Sequence, residues 1–252
     1  MLYFQDFGTL LYQFGDEKDT TIFQDISRYA DVIDQVKDDV SFLNYHTIQE
    51  GFRPDQVSLQ LYNSPNYYWT FYLLNDDIRL QGWPLPNGEL LEYIKKNYPN
   101  TTITVREPFA TKFKVGQTVT GGTSGASGVI LRRNLNLGHI VIEGDKSFTS
   151  SGELLQSTNS SGVVETVTSV SSSKEYLAAR HYIDSSGAIV DLSIDSSGSA
   201  TPGHLLPPGA LLTERTNEET EINVNRSLRT IKVIKPSLMP TLVSSYKRSI
   251  RA

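Results

Sequence analysis

Short segments rich in β-branched residues, separated by turns, fill the middle of this chain and restrict the folds open to it. They lie between Lys112 and Val170, and the turns are rich in Gly, Ser and Asn. The segments expected as strands are Lys112–Val115, Gln117–Thr120, Gly128–Arg132, His139–Glu143 and Val163–Val170. Strands of this length and spacing favour a small antiparallel barrel or sandwich. Because the composition changes near Phe109 and near Ser171, we expect residues 109–173 to form an inserted β-rich module.

The Gly-rich run Gly121–Gly128 within this module invites comparison with a phosphate-binding loop or a nucleophile elbow. It has no Gly-Lys-Ser/Thr ending and no Gly-x-Ser-x-Gly register, and it lies between two expected strands. Glycine supplies the positive φ angles that tight turns need. We therefore predict a hairpin turn here.

The first region, residues 1–108, contains clear helix signals. A strand is expected over Phe42–Gln49, and Pro54 suits the first position of a helix that ends at Tyr62. A second helix is expected from Pro65 to about Asn75, after the stop at Asn63-Ser64. This helix is apolar nearly all round, so it is either buried or covered by a partner.

Two further helices are expected in this region. Asn87 can cap a short helix over residues 88–96. Residues 31–40 alternate aspartates with valine and isoleucine, as an amphipathic helix does. The aspartates lack the spacing of a calcium loop, so a solvated helix face is favoured over a Mg²⁺ or Ca²⁺ site.

The third region, residues 174–252, is expected to hold a hairpin, a strand and helices. The hairpin covers Tyr176–Ile194, with its turn at Asp184–Gly187. A polar helix is expected over Glu214–Arg226 and a strand over Leu228–Ile234. Pro236 is expected to begin a last helix, with an apolar stripe of Leu238, Leu242, Tyr246 and Ile250.

Charge is distributed unevenly along a chain of net charge −5. No acidic residue follows Glu221, whereas seven basic residues do: Arg226, Arg229, Lys232, Lys235, Lys247, Arg248 and Arg251. Such a tail suits docking on acidic neighbours or on nucleic acid. A nucleic-acid groove would interleave the cations with exposed aromatic residues, and this tail offers Tyr246 alone. A protein partner is favoured, and a merely solvated tail is the alternative.

No motif in the sequence identifies a catalytic, metal or cofactor site. The chain has no Cys, and its four His residues show no metal-ligand spacing. A Ser, Asp or Glu site assembled by folding, as in a cell-wall hydrolase, stays open as an alternative. The start of the chain has no signal-peptide pattern, and no run is long enough to span a membrane. We expect a soluble, non-enzymatic protein without cofactors, made in a cytoplasm.

Two stretches resemble a known family. Arg53–Asp76 reads RPDQVSLQLYNSPNYYWTFYLLND and is followed by Gly82-Trp83. This resembles the baseplate wedge subunit of T-even-type contractile-tailed bacteriophages, the gene product 53 family, in which an Arg-Pro opens a helix, a Tyr/Trp-rich helix ends in Asn, and Gly-Trp follows. The matching positions are Arg53, Pro54, Tyr62, Pro65, Trp69, Asn75, Gly82 and Trp83. A weaker distal similarity covers His181-Tyr182 and residues 217–236.

The resemblance implies a structural protein of the virion, synthesised in the host cytoplasm, that joins other baseplate wedge and hub-proximal subunits in a ring-like assembly. It implies neither nucleic acid nor membrane as a partner. Taken with the aromatic and charge patterns, it predicts these partner-binding residues: Arg53, Tyr62, Tyr68, Trp69, Tyr72, Trp83, Arg226, Arg229, Lys232 and Lys235.

The same region offers an alternative function. Two short helices followed by Gly-Trp-Pro, within residues 54–97, also resemble a LysM module, and free LysM modules bind peptidoglycan or chitin. The expected fold class is therefore α+β: a small N-terminal α/β (LysM-like) region, an inserted antiparallel β barrel or sandwich, and a C-terminal hairpin, strand and helices.

Overall fold

The computed structural model describes residues 8–16, 19–25, 39, 41–190 and 212–251. The chain mixes helices and strands and divides into two compact units, residues 1–87 with 224–252, and residues 88–223. The helix expected over residues 31–40 lies almost wholly outside the described residues, and so does the end of the expected hairpin, residues 191–194.

The first unit contains three strands and three short helices from the first third of the chain, and a strand and a helix near its end. They are β1 (Thr9–Gln13), β2 (Thr20–Gln24), β3 (Leu43–Thr47), α1 (Pro54–Tyr62), α2 (Trp69–Leu74), α3 (Asp76–Gln81), β13 (Thr230–Ile234) and α6 (Met239–Arg251). The strands form two separate two-stranded antiparallel sheets, β1–β2 and β3–β13. In the second sheet His46 faces Ile231, so residues far apart in sequence form one ladder.

Local signals explain the boundaries of α1. Pro54 occupies its first turn, and Asn63 ends it in the left-handed conformation with φ 52°. The helix expected over 65–75 is divided into a 3₁₀ turn, Pro65–Tyr67, and α2. The hydroxyl of Ser58 accepts the N–H of Tyr67 at 3.1 Å, which fixes the turn before the helix. The structure thus confirms a helical segment here, in two pieces.

The second unit begins in a helix and contains a closed six-stranded barrel. Its elements are α4 (Asn87–Asn97), β4 (Thr101–Val105), β5 (Thr118–Gly121), β6 (Ser127–Asn134), β7 (His139–Ile142), β8 (Leu154–Thr158), β9 (Val164–Lys174), β10 (Ala179–Ile183), β11 (Ile189–Val190), β12 (Thr213–Thr216) and α5 (Asn217–Ser227), which ends in the first unit. The barrel order is β4-β7-β6-β5-β8-β9. Its interior is filled by fully buried side chains that include Ile103, Val119, Ile130, Ile140, Ile142 and Leu155.

The barrel differs from the expected strands in three places. It starts at Thr101, before the expected boundary at Phe109, because the β-branched β4 pairs with both β7 and β9. The strand β8 was not expected. Lys112–Val115 is a turn and not a strand: Phe113 adopts φ 52°, and the guanidinium of Arg133 donates to the carbonyl oxygen of Lys112 at 2.7 Å.

The Gly-rich run forms the predicted hairpin turn between β5 and β6. The carboxylate of buried Glu153 accepts the backbone N–H groups of Thr123 and Ser124, at 3.1 and 2.6 Å. A Cβ at Gly121 would lie 2.3 Å from an oxygen of this carboxylate, so close approach, and not a positive φ, requires glycine there.

The hairpin with its turn at Asp184–Gly187 is confirmed as β10 and β11, and β12 joins the other edge of β10. The carboxylate of Asp184 accepts the N–H of Ser186 at 2.8 Å, as an Asx turn does. The expected polar helix begins at Asn217, after β12, and the last helix begins at Met239, three residues after Pro236.

Candidate interaction surfaces

The hairpin of β1 and β2, which we call the arm, exposes large apolar side chains on both faces. All ten residues of its strands are exposed. Six large apolar side chains of the hairpin are 40–67% exposed: Leu10, Leu11, Tyr12, Phe14, Ile22 and Phe23. Within the described residues, its two strands pair only with each other.

Cross-strand register assigns these side chains to two faces. Leu10 faces Phe23 across the ladder, and Leu11 faces Ile22 on the opposite face. On the first face the rings of Tyr12 and Phe14 lie 4.9 Å apart and those of Phe14 and Phe23 5.7 Å apart, both edge to face. The arm therefore carries an aromatic face and a smaller aliphatic face.

The sequence did not identify the arm as a site. A signal was present, since two runs rich in β-branched and aromatic residues flank Gly15-Asp16. The sequence could not predict that the apolar side chains of the arm are exposed, because apolar residues in strands are normally covered by the rest of the fold.

The aromatic helix that was expected to contact a partner is covered by its own chain. Trp69 is 7% exposed, and its ring stacks on that of Tyr246 in α6, with centroids 5.5 Å apart. Tyr68, the neighbouring residue, is 40% exposed. Of the two alternatives for α2, burial within the chain is the one observed.

Three more predicted aromatic residues also take part in the core. The hydroxyl of Tyr62 donates to the carbonyl oxygen of Ile234 at 3.0 Å, and burial raises the pKa of Tyr62. The indole of Trp83 donates to the carbonyl oxygen of Phe52 at 2.7 Å. Tyr72, whose pKa burial also raises, lies 6.1 Å from Trp83 between ring centroids. The structure thus brings Tyr62, Tyr72 and Trp83 together in one half-buried cluster.

Two of the predicted arginines pair with acidic side chains of the same unit. Arg53 is exposed and pairs with Asp55 at 2.8 Å, and this hydrogen bond lowers the pKa of Asp55. Arg229 lies 3.7 Å from a carboxylate oxygen of Glu50 and also donates to the side chain of Asn87.

The remaining cations follow the end of α5 and the strand β13. Lys235 donates to the carbonyl oxygen of Ser41 at 2.7 Å. Lys232 is half-buried opposite the exposed Tyr45, and Arg226 is exposed on α5. Of these three cations, Lys232 belongs to β13, Lys235 follows it, and Arg226 belongs to α5.

No group of three or more His, Asp or Glu residues suited to a metal ion occurs in the part of the chain that the structure describes. Of the described helices, none is long and apolar enough to cross a membrane. Comparison of the sequence with protein-family models and with curated proteins gave no match.

Proposed function

We propose that this protein is a structural subunit of a contractile phage tail baseplate, where it joins neighbouring wedge and hub-proximal subunits by protein–protein contacts in the virion. The observation that carries this proposal is the arm. An isolated two-stranded hairpin is at best marginally stable in water. An arm that exposes six large apolar side chains on two faces therefore calls for a covering surface.

The arm can supply enough free energy to hold a neighbour. Full burial of a large apolar side chain contributes about 1.5–3 kcal/mol. Because the six side chains are about half exposed, covering them would contribute on the order of 5 kcal/mol. Asp16 and Asp19 lie in the connection between β1 and β2. The partner that fits is thus a protein surface with an apolar centre and basic residues at its rim.

The assignment to the wedge family rests on the resemblance, and the roles of the matching residues support it. Pro54 begins α1, and Asn75 separates α2 from α3. Trp83 packs, with Tyr72, against a cluster of buried apolar side chains. These residues position the elements of the first unit. A motif made of such residues is expected to persist in a family that keeps this framework.

A LysM-like arrangement forms part of the proposal. LysM modules place two short helices against a two-stranded antiparallel sheet. Here the order β3, α1, α2, β13 supports the same arrangement, with its second strand supplied from 230–234. We propose that the module serves as a scaffold, because the aromatic side chains Trp69 and Tyr62 are used inside it.

Co-expression with the other wedge subunits of the same phage tests the function. A tagged chain is expected to recover a partly assembled wedge. The double variant Leu11→Ser, Ile22→Ser should lose most of this recovery and remain a folded, soluble monomer. The matched control is Leu80→Ser, Ile189→Ser, because Ile189 is 67% exposed, as Ile22 is. Equal recovery by both double variants would contradict a role for the arm.

The peptidoglycan-binding alternative is tested in parallel. The purified protein is incubated with purified peptidoglycan and sedimented. We expect it to stay in the supernatant, and saturable sedimentation would favour a glycan-binding module over a scaffold. Turnover of the same peptidoglycan would favour a hydrolase.

A further inference from the structure

A cavity of about 470 Å³, lined by both polar and apolar side chains, lies on the outer face of the barrel in the second unit. Its floor is a cross-strand row in which Thr102 of β4 faces Val141 of β7, and Val141 faces Arg132 of β6. The cavity is also lined by Glu175, Ala178, Ala179 and Arg180. Pockets of this volume are of the size that small-molecule ligands occupy.

The floor contains a buried hydroxyl that lacks a partner. Thr102 is 1% exposed, and its Oγ1 has no hydrogen-bond partner among the described residues. Burying such a group costs free energy, so native structures rarely leave one unsatisfied. Because Thr102 Oγ1 has almost no accessible surface, it closes the floor, and the contacts to a ligand must come from the charged lining.

The lining is positively charged. It contains three arginines, Arg132, Arg133 and Arg180, and one carboxylate, Glu175. The guanidinium of Arg133 is directed to the carbonyl oxygens of the turn that ends at Lys112. Those of Arg132 and Arg180 are partly exposed at the cavity.

The two exposed arginines are held in place by carboxylates. Arg132 contacts Glu175 through Nη2, and Arg180 contacts Glu221 through Nη1 at 2.8 Å. These contacts use one nitrogen of each guanidinium, which carries five N–H donors in all. Arginine donors held in this way suit recognition of carboxylate or phosphate.

The rest of the lining suits an uncharged organic body. Val141, Ala178 and Ala179 provide apolar surface. His139 is 5% exposed, and burial, followed by the nearby Arg106, lowers its pKa to about 4. The imidazole is neutral at pH 7 and offers a hydrogen bond without charge.

We propose that this cavity binds a small organic oxyanion, a carboxylate or a phosphate ester, with its charged group at Arg132 and Arg180. This inference is independent of the arm and of the proposed function. It assigns a ligand class to a barrel that the sequence had left without a role.

Amide-detected NMR titration of the full chain tests the site. The probes are succinate and glycerol 3-phosphate, each titrated to 50 mM at constant ionic strength against sodium chloride. We expect at least one probe to shift the amides of Thr102, Arg132 and Ala179 saturably, and the probe that binds identifies the oxyanion. Arg132→Gln and Arg180→Gln should each weaken its binding at least fivefold. The control Lys96→Gln removes an exposed cation of the same unit and should change binding less than twofold.

Two results would overturn the proposal. One is the absence of saturable shifts with both probes, which would show that neither oxyanion binds in the cavity. The other is binding that Arg132→Gln and Arg180→Gln leave as strong as in the parent chain. Because both variants keep the barrel core intact, their amide spectra also verify that the fold is retained.

Discussion

The side-chain amide of Asn75 pairs with the backbone of Lys232, 157 residues further along the chain. Its Nδ2 donates to the carbonyl oxygen of Lys232 at 2.9 Å, and its Oδ1 accepts the N–H of Lys232 at 2.8 Å. The pair imitates one step of a β-ladder on the edge of β13 that β3 does not occupy. One asparagine thus ties the end of α2 to the sheet of the same unit.

Removing this amide should destabilise the first unit. Asn75→Ala leaves the N–H and C=O of Lys232 without this partner, which costs about 2 kcal/mol. Both tryptophans, Trp69 and Trp83, belong to this unit, so urea unfolding followed by tryptophan fluorescence measures its stability. The exposed Asn66→Ala is the control and should change stability by less than about 0.5 kcal/mol. Equal losses in the two variants would show that the Asn75 pair contributes nothing specific.

The stack between Trp69 and Tyr246 predicts a larger effect. Tyr246 is 4% exposed, and Tyr246→Ala would leave a cavity against Trp69. Truncating a buried aromatic residue costs about 3–5 kcal/mol. Tyr246→Phe keeps the ring and should retain most of that stability, measured by the same urea titration. A small effect of both substitutions would mean that α6 does not cover Trp69 in solution.

The carboxylate of Glu153 should control the stability of the barrel. It accepts N–H groups from Thr123, Ser124 and Thr149, and Gln would turn an N–H₂ group towards at least one of them. We expect Glu153→Gln to cost roughly 1–3 kcal/mol. Amide hydrogen exchange of β5 and β6 measures the change, and Glu143→Gln, on the exposed surface, is the control.

The same carboxylate should make the stability of the barrel depend on pH. Burial alone would raise the pKa of Glu153, but its hydrogen bonds outweigh burial and lower the pKa below the ordinary value of 4.5. A group with a depressed folded-state pKa stabilises the protein above its unfolded pKa, and this contribution is lost as the pH falls through the folded pKa. Exchange protection of β5 should therefore fall more steeply below pH 4.5 in the parent than in Glu153→Gln. Parallel pH profiles would contradict the assignment.

The unsatisfied hydroxyl of Thr102 predicts a gain in stability on its removal. Thr102→Val keeps the shape and the β-branching, and it removes a buried group that has no hydrogen-bond partner in the described part of the chain. The ligand-free protein should become more stable by about 1 kcal/mol, seen as a higher Tm by circular dichroism. Thr104→Val, on the same strand but half-buried, is the control. A lower Tm for Thr102→Val would show that the hydroxyl has a partner in solution.

Local signals explain which parts of the fold could be predicted. Pro54 and Asn63 bound α1 because a proline at the first turn and a left-handed residue at the end are properties of single positions. The turn at Asp184–Gly187 was predictable because the Asp side chain accepts N–H groups two and four residues ahead.

Long-range pairing explains what was missed. The strand β4 belongs to the barrel because it pairs with β9, about seventy residues later. The local pattern of apolar residues does not indicate which distant strand will pair with it. The turn at Phe113 has its φ of 52° because contacts from Arg133 and Glu165 hold its backbone.

In the candidate sites, too, the sequence shows the residue types, whereas only the folded chain shows what surrounds them. Trp69 was recognisable as an aromatic in need of cover, but whether Tyr246 or a partner supplies the cover is decided by tertiary structure. The exposure of the arm and the unpartnered hydroxyl of Thr102 are likewise properties of the folded chain. Sequence patterns could identify the residue types but not their surroundings.

Site-specific photo-crosslinking tests most directly whether the arm contacts a neighbouring subunit. The photoreactive residue p-benzoylphenylalanine replaces Tyr12 in the arm, or Tyr93 in α4 as a control of similar exposure, at 51% and 47%. The chains are then incorporated into tails assembled in cells that produce the phage. We expect Tyr12→p-benzoylphenylalanine to form cross-links to another polypeptide in assembled tails and not in the isolated protein, and Tyr93→p-benzoylphenylalanine to form far fewer. Cross-links from position 12 that stay within the same chain, in tails as in the isolated protein, would contradict the account.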